Sequence, residues 1–264
     1  MQEHEVCLAT PLILRGEDAF FYRCFSDILE LYQKVFVILK PGTSREVLSF
    51  IESHGEQAIA AFASTWKRAR REALGMALAG GASYIHHCDA DRLLHWFMHY
   101  PDELKQTIGQ IPTYDYLIMG RTERAFKTHP LTMQKTEVLI NHVFKLVYTQ
   151  DVDIMTGSKG LSARAARWIL ERTQVKDVFA IDSEWPLLVR QRPQFTMGYV
   201  VVEGLEWETP DRLYAQGKDE QTVQAWKERL EASPEEWVHR LRMALSISEA
   251  VLPFVEVKKL RSKE

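Results

Sequence analysis

The sequence has no surplus of positive charge, few cysteines and no long apolar run. Its formal net charge is −3 over 264 residues, whereas general nucleic-acid-binding proteins usually carry a basic surplus, so no nucleic-acid partner is expected. The three cysteines, Cys7, Cys24 and Cys88, are too few and too scattered for a disulfide framework or a zinc cluster. No uninterrupted apolar stretch approaches the roughly 20 residues that a membrane span needs. These absences predict a protein of a reducing compartment without a membrane span.

The amino terminus also lacks a targeting signal. Residues 1–5 show neither the basic start nor the apolar stretch of a secretory signal peptide. We therefore expect a cytoplasmic protein. Peripheral contact with a membrane surface and formation of a homodimer are both compatible with this composition.

Short apolar runs alternate with segments of helical periodicity along most of the chain. Strands are predicted near residues 5–12, 34–39, 84–88, 114–121, 151–156, 178–182 and 199–204, with less regular candidates at 205–208 and 253–257. Helices are predicted over 18–32, from Ser44 onward, and over 57–79, 131–147, 162–170 and 237–251. The alternation predicts an α/β fold with a mostly parallel central sheet and helices on both faces. We expect one domain over residues 1–210 and a mainly helical C-terminal extension, residues 211–264, packed on that domain.

The stretch Ser83–Arg92 is central to this pattern. A short strand, including Tyr84 and Ile85, ends at two acids, Asp89 and Asp91, that are separated by one small residue. Ligands of open α/β sheets bind at the carboxyl ends of the strands, and two carboxylates there suit Mg²⁺ or Mn²⁺. Such an ion takes its other ligands from water and from substrate phosphates. The alternative is a solvated acidic turn.

Two further motifs offer groups that could bind a phosphate or a sugar. The segment around Lys67, Arg68, Arg70 and Arg71 is basic enough to hold a diphosphate, or it is a solvated helix face. The segment Thr156–Ser162 contains glycines at 157 and 160, which allow close backbone approach, and Lys159 adds a positive charge. Its spacing is not that of a phosphate-binding P-loop, and a plain strand-to-helix turn is the alternative.

Another motif, Asp182-Ser183-Glu184, places two acids at the end of a predicted strand. Either carboxylate is a candidate general base, although solvated acids at strand ends are common. His86 and His87 directly precede the acidic pair, and histidines in a strand are more often packed than metal-bound.

Taken together, these motifs resemble the nucleotide-diphospho-sugar-dependent glycosyltransferases of the GT-A fold. The likeness is to the family 2-like and dolichol-phosphate-mannose-synthase-like groups and spans roughly residues 5–205. It depends on the order of three motifs: Asp89-Ala90-Asp91, Gly157–Ser162 and the acids Asp182 and Glu184. The chain departs from the family pattern at Lys40–Ser44, where these families usually have an acid-rich turn, and at the loop after the first strand.

The resemblance implies a role for each candidate residue. It implies that Asp89 and Asp91 hold the metal ion and the donor, with His239 as a further candidate metal ligand. The implied donor-binding residues are Thr10, Pro11, Arg71, Asp89, Asp91, Gly157, Ser158 and Lys159. The resemblance also implies that Asp182 or Glu184 deprotonates the acceptor if transfer inverts the anomeric centre.

The function predicted from the sequence is therefore that of a metal-dependent glycosyltransferase using Mn²⁺ or Mg²⁺. It would move a sugar from a nucleotide-diphospho-sugar donor to an unidentified acceptor. Other hypotheses are a metal-dependent phosphohydrolase built on His86, His87, Asp89 and Asp91, and a sugar nucleotidyltransferase. A non-catalytic nucleotide-sugar-binding or scaffold protein is the hypothesis outside enzymes.

Overall fold

The structure is a computed structural model that describes residues 5–16, 18–175 and 177–255. Within these ranges, no helix combines the length and the apolar character that crossing a bilayer requires.

In the described part of the chain, seven strands form one sheet, in the order β3-β2-β1-β4-β6-β5-β7. The strands are β1 Val6–Leu12, β2 Val35–Leu39, β3 Ala58–Phe62, β4 Tyr84–Cys88, β5 Tyr116–Arg121, β6 Ser158–Ser162 and β7 Met197–Val202. Strand β6 runs antiparallel to its neighbours β4 and β5, and the remaining pairs are parallel. The mostly parallel sheet predicted from the sequence is confirmed.

Helices connect and cover the strands. They are α1 Asp18–Leu29, α2 Arg45–Glu52, α3 Ala69–Ala79, α4 Ala90–His99, α5 Pro101–Gln110, α6 Glu123–Thr128, α7 Leu131–Tyr148, α8 Ala163–Arg172, α9 Ile181–Arg190, α10 Thr209–Ala215, α11 Glu220–Ala232 and α12 Pro234–Glu249. Two serines start helices as their positions predicted. The hydroxyl of Ser44 accepts from the backbone N–H of Glu46 at 3.1 Å, and that of Ser162 accepts from Ala165 at 3.2 Å.

The sheet is buried on both faces, which explains the continuous apolar character of its central strands. Along β1, Val6 and Leu8 belong to one hydrophobic cluster, while Cys7 and Ala9 belong to the other. Alternate residues of a strand point to opposite faces, so each cluster fills the space between one face and its helices. Helix α12 packs against α7 and α9 and thus joins the C-terminal helices to this body.

The predicted helix over 57–79 is wrong in its first part. Residues Ala58–Phe62 form the edge strand β3, in parallel register with β2 from Val35↔Ala58 to Leu39↔Phe62. A single turn of 3₁₀ helix, Trp66–Arg68, then leads into α3. The short alanine-rich segment fits both periodicities, and hydrogen bonding to β2 decides in favour of the strand.

The predicted strands at 151–156 and 178–182 are also wrong. The strand in the first region is β6, which begins only at Ser158, after a turn at Met155 and Thr156 and a bend at Gly157. In the second region, α9 begins at Ile181 with two acids in its first turn, where negative charge favours a helix.

Two less regular candidates for strands also fail. Residues 205–208 lie in the connection between β7 and α10, and Leu252–Phe254 form one 3₁₀ turn. The remainder of the predicted strand at 253–257, residues 256 and 257, lies outside the described residues.

Candidate functional site

A cavity of about 370 Å³ opens at the carboxyl end of β4. Asp89 and Asp91 line it together with Gly157, Asp182 and His239. The two acids lie at the start of α4, with Asp89 immediately before the helix and Asp91 in its first turn, rather than in an open loop. With Arg70, which also lines the cavity, the fold brings together six of the residues that the sequence indicated.

Arg70 connects the two acidic motifs on the inner side of the cavity. Its Nε donates to Asp89 Oδ1 at 2.9 Å, its Nη2 contacts Asp89 Oδ2, and its Nη1 donates to Asp182 Oδ2 at 3.1 Å. Burial alone would raise the pKa of Asp89, but the charge and hydrogen bonds of Arg70 outweigh it and hold that pKa below its ordinary value. Arg70 is therefore committed to carboxylates of the protein.

Lys159 completes the charge compensation of Asp182. Its Nζ pairs with Asp182 Oδ1, and both side chains are buried. The ammonium also lies 5.6 Å from the ring centroid of Trp185, a cation–π contact. Both oxygens of Asp182 therefore contact cations of the protein, which leaves neither free to accept a proton from an acceptor in this arrangement.

Gly157 brings the loop before β6 against the first acid. Its carbonyl accepts from the backbone N–H of Asp89 at 3.1 Å, and its φ is +68°. A Cβ at this position would lie 2.7 Å from Asp89 Oδ2. A glycine is required here by both its backbone conformation and the close approach of the carboxylate.

Asp91 and Glu208 form a second acidic group in the cavity, where the charges of Arg92 and Arg15 do not outweigh burial and the neighbouring carboxylates. Burial, followed by the neighbouring carboxylates Glu208 and Asp89, raises the pKa of Asp91 to about 7. Glu208 Oε2 lies 3.6 Å from Arg92 Nη1, and within the described residues both atoms are buried without a hydrogen-bond partner. Two partly buried carboxylates, one with an oxygen that lacks a hydrogen bond, are a donor set that fits a hard divalent cation.

The C-terminal segments supply the opposite wall, of which the sequence had indicated only His239. Trp207 and Trp226 stack with ring centroids 5.6 Å apart, and the guanidinium of Arg212 lies 5.3 Å from the Trp226 centroid. Arg240, from α12, lines the same cavity. No local pattern marks Glu208, because an acid in an irregular strand candidate, two residues after Glu206, looks like a solvated residue. Only the packing of the C-terminal segments turns it inward.

Several predicted donor-binding residues lie away from the cavity. Thr10 and Pro11 are buried inside β1, which continues to Leu12. Pairing of β1 with β4 stops at Ala9, so the absence of an N–H on Pro11 removes no hydrogen bond between these two strands. Arg71 is exposed and donates to the carbonyl of Leu170 at 3.2 Å.

Two other candidates serve the protein interior. Ser158 is buried in β6, where its hydroxyl hydrogen-bonds His86 Nε2 at 2.8 Å. Glu184 lies outside the cavity, and its Oε1 accepts from the backbone N–H groups of Gln174 at 2.7 Å and Val175 at 3.2 Å. Its Oε2 accepts from the hydroxyl of Thr173, so both oxygens of the carboxylate are used to hold the preceding loop.

The histidines of the phosphohydrolase hypothesis also serve the interior. His86 is fully buried and its Nδ1 hydrogen-bonds the hydroxyl of Tyr32 at 2.7 Å, while His87 Nε2 contacts the carbonyl of Arg70 at 2.9 Å. Burial lowers the pKa of each to about 3, so both rings are neutral at pH 7. Neither lines the cavity, and no observation here supports that hypothesis.

Comparison with known proteins shows the fold. No family model matches the sequence, and no curated protein matches it. The crystal structure of 4-diphosphocytidyl-2C-methyl-D-erythritol synthase from Anaerococcus prevotii DSM 20548 is similar with a TM-score of 0.51 and 9% identity, over 82% of this chain and 98% of that chain. At this identity the likeness concerns the fold alone, and it agrees with the predicted α/β architecture.

A protein from Desulfovibrio desulfuricans G20, assigned as a nucleotide-diphospho-sugar transferase, is similar over 96% of this chain and 100% of that chain. The TM-score is 0.43 and the identity 12%, and a score at this level carries no argument.

Proposed function

We propose that this protein is a metal-dependent glycosyltransferase that uses a nucleotide-diphospho-sugar donor. The observation that supports it best is the pair of partly buried acids, Asp91 and Glu208, in a cavity at the carboxyl end of β4. Ligands of open α/β sheets bind at this end of the strands. Glu208 Oε2 lacks a hydrogen-bond partner and is only loosely paired with Arg92 at 3.6 Å, so it can serve as a ligand for a cation.

Mn²⁺ or Mg²⁺ is the cation that this donor set favours. Asp91 and Glu208 would hold it, whereas both oxygens of Asp89 already contact Arg70. His239 lines the same cavity and stays a predicted additional ligand. When bound, the ion would neutralise charge that develops on the leaving nucleoside diphosphate.

The arginines on the opposite wall are suited to the diphosphate. Arg212 and Arg240 line the cavity, and guanidinium groups bind phosphate oxygens through paired N–H donors. Arg70 is not assigned to the diphosphate, although it belongs to the predicted basic segment, because its N–H donors are used by Asp89 and Asp182. We assign Asp182 to positioning Arg70 and Lys159, and we do not carry its predicted role as a general base into this proposal.

Thermal unfolding with a panel of UDP-, GDP-, ADP- and CDP-sugars, with and without Mn²⁺, tests the proposal. A ligand that binds only the folded state raises the Tm. We expect a metal-dependent increase for one nucleotide, absent in Asp91→Asn and Glu208→Gln and retained in Glu123→Gln, a control acid that is exposed on α6. Release of nucleoside diphosphate from that donor would then be measured. An increase that needs no metal, or that survives both substitutions, contradicts the proposed site.

A nucleotidyltransferase is the second candidate, favoured by the loop after β1. Arg15 lines the cavity next to Gly16, whose φ is +121°, and such enzymes bind a triphosphate with a basic, glycine-containing loop at this place. Release of pyrophosphate from a nucleoside triphosphate and a sugar phosphate would identify this reaction. Donor binding without any turnover would instead indicate the non-catalytic hypothesis.

A further inference from the structure

Two histidines and an aspartate meet behind the cavity, on the side of α4 that faces α10. His95 Nδ1 lies 2.6 Å from Asp211 Oδ2, and His99 Nε2 lies 3.2 Å from Asp211 Oδ1. One ligand atom from each residue lies within 4.8 Å of the other two. The two histidines are four residues apart on α4, a spacing that places them on one face of a helix, with ring centroids 4.4 Å apart.

From this geometry we propose that His95, His99 and Asp211 bind one transition-metal ion of the zinc type. Two imidazole nitrogens and a carboxylate oxygen are ligands that Zn²⁺ takes in proteins, with a fourth position left for water or another ligand. Nitrogen donors favour Zn²⁺ or Co²⁺ over Mg²⁺ and Mn²⁺. The ligand set therefore differs chemically from the all-oxygen pair of Asp91 and Glu208.

The surroundings of His95 fit a ligand of a metal ion. Its other ring nitrogen, Nε2, lies 3.3 Å from Glu206 Oε1, and Glu206 also accepts from Tyr100 at 3.0 Å and Arg124 at 2.6 Å. Histidines that bind metals usually donate their second N–H to a carboxylate, which fixes the tautomer and orients the ring. In the metal-free protein Nδ1 donates to Asp211, so an ion that binds at Nδ1 would displace this proton while Nε2–H stays on Glu206.

Exposure of the cluster allows an ion to enter. The side chains of His95 and Asp211 are 6% and 12% exposed, whereas that of His99 is 48% exposed. The cluster is therefore held by the interior on one side and open to solvent at His99. An ion here would be bound by three protein groups and reachable by a chelator.

Such an ion would join α4 to the segment that carries part of the cavity wall. Glu208 and Arg212 line the cavity, and Asp211 lies between them in the sequence, in the first turn of α10. Because α4 also begins with Asp89 and Asp91, a metal ion at Asp211 would fix both acidic groups of the cavity relative to each other. Its role would be structural, at a distance from the reacting groups.

Titration of the metal-stripped protein with Co²⁺ tests this proposal. We expect visible absorption that saturates at one Co²⁺ per chain and is displaced by one equivalent of Zn²⁺. The band should disappear in His99→Asn and persist in His142→Asn, which removes an exposed histidine of α7 outside the cluster. His99→Asn leaves the contacts of His95 with Asp211 and Glu206, so the variant is expected to fold.

Two further variants separate the outcomes. Glu206→Gln should keep the stoichiometry and weaken binding about 10- to 100-fold, as expected for a residue that orients a ligand. Asp91→Asn should leave the Co²⁺ band unchanged, so failure of the cation site in the cavity would not affect this result. Absence of the band in the unsubstituted protein, or its persistence in His99→Asn, overturns the proposal and leaves a metal-free contact of His95 with two carboxylates.

Discussion

Arg70 shows how one residue can link motifs that are far apart in the sequence. It contacts Asp89, 19 residues away, and Asp182, 112 residues away, and a bidentate contact of this kind is stronger than a neutral hydrogen bond. Sequence analysis identified the basic stretch and both acids as separate features. The basic stretch was predicted to bind a diphosphate or to form a solvated helix face, and neither prediction describes Arg70, because the position of a side chain within a folded interior is not encoded by its neighbours in sequence.

Gly157 allows a direct test of the contact between the loop before β6 and Asp89. Gly157→Ala should lower the free energy of unfolding by roughly 3 kcal/mol, since alanine is strained at positive φ and its Cβ would meet the Asp89 carboxylate. Gly217→Ala is the matched control, with φ +74° and no neighbour within 4 Å, and should cost about 1–2 kcal/mol. Denaturant unfolding of both variants measures the difference. Equal losses would show that the Asp89 contact contributes nothing.

Helices and strands were predicted correctly where the local sequence pattern is compatible with only one type of secondary structure. The strands β1, β2, β4, β5 and β7 and the long helix α7 lie where apolar runs or helical periodicity placed them. The predictions for β3 and β6 were wrong because the conformation of these segments depends on the strands they pair with rather than on their own residues. The prediction was also wrong at the start of α9. An apolar run followed by two acids looks like the end of a strand when the partners of Glu184 are unknown.

Helix α9 and the loop before it provide the test at this scale. Glu184→Gln should expose the amides of Gln174 and Val175 to faster hydrogen exchange and lower the free energy of unfolding by about 1–3 kcal/mol, because a charged acceptor for two N–H groups is lost. Glu171→Gln, an exposed acid of α8, serves as the control. Unchanged exchange at the two amides would contradict the structural role of Glu184.

At the scale of the whole molecule, the candidate site and a buried structural carboxylate lie at opposite ends of the strands. The cavity lies at the carboxyl end of β4. Asp115 directly precedes β5, which runs in the same direction as β4, so Asp115 lies at the amino ends of these strands. Asp115 accepts from Ser162 at 2.7 Å and from the backbone N–H of Thr196 at 2.9 Å, and it pairs with Arg164. One buried carboxylate thus joins β5 to the starts of α8 and β7.

This anchor predicts a pH dependence of stability. Burial alone would raise the pKa of Asp115, but its bonds to Arg164, Thr196 and Ser162 lower it from 3.8 to about 2. A depressed folded-state pKa gives stability that is present above about pH 3.8 and is lost as the pH falls through about 2. We expect Asp115→Asn to be less stable than the unsubstituted protein by about 2 kcal/mol at pH 5, with the difference shrinking toward pH 2. A difference that does not change with pH would contradict this account.

The sequence by itself determined the class of fold, most of the elements and the position of the paired acids at the end of β4. These follow from local periodicity and from the rule that parallel strands end together at one edge of a sheet. Only the tertiary structure decided which charges meet. It paired Arg70 and Lys159 with acids, turned Glu208 toward Asp91 and brought Asp211 to His95. Such contacts join residues about 20 to more than 100 positions apart, and their energies depend on burial and geometry that exist only in the folded chain.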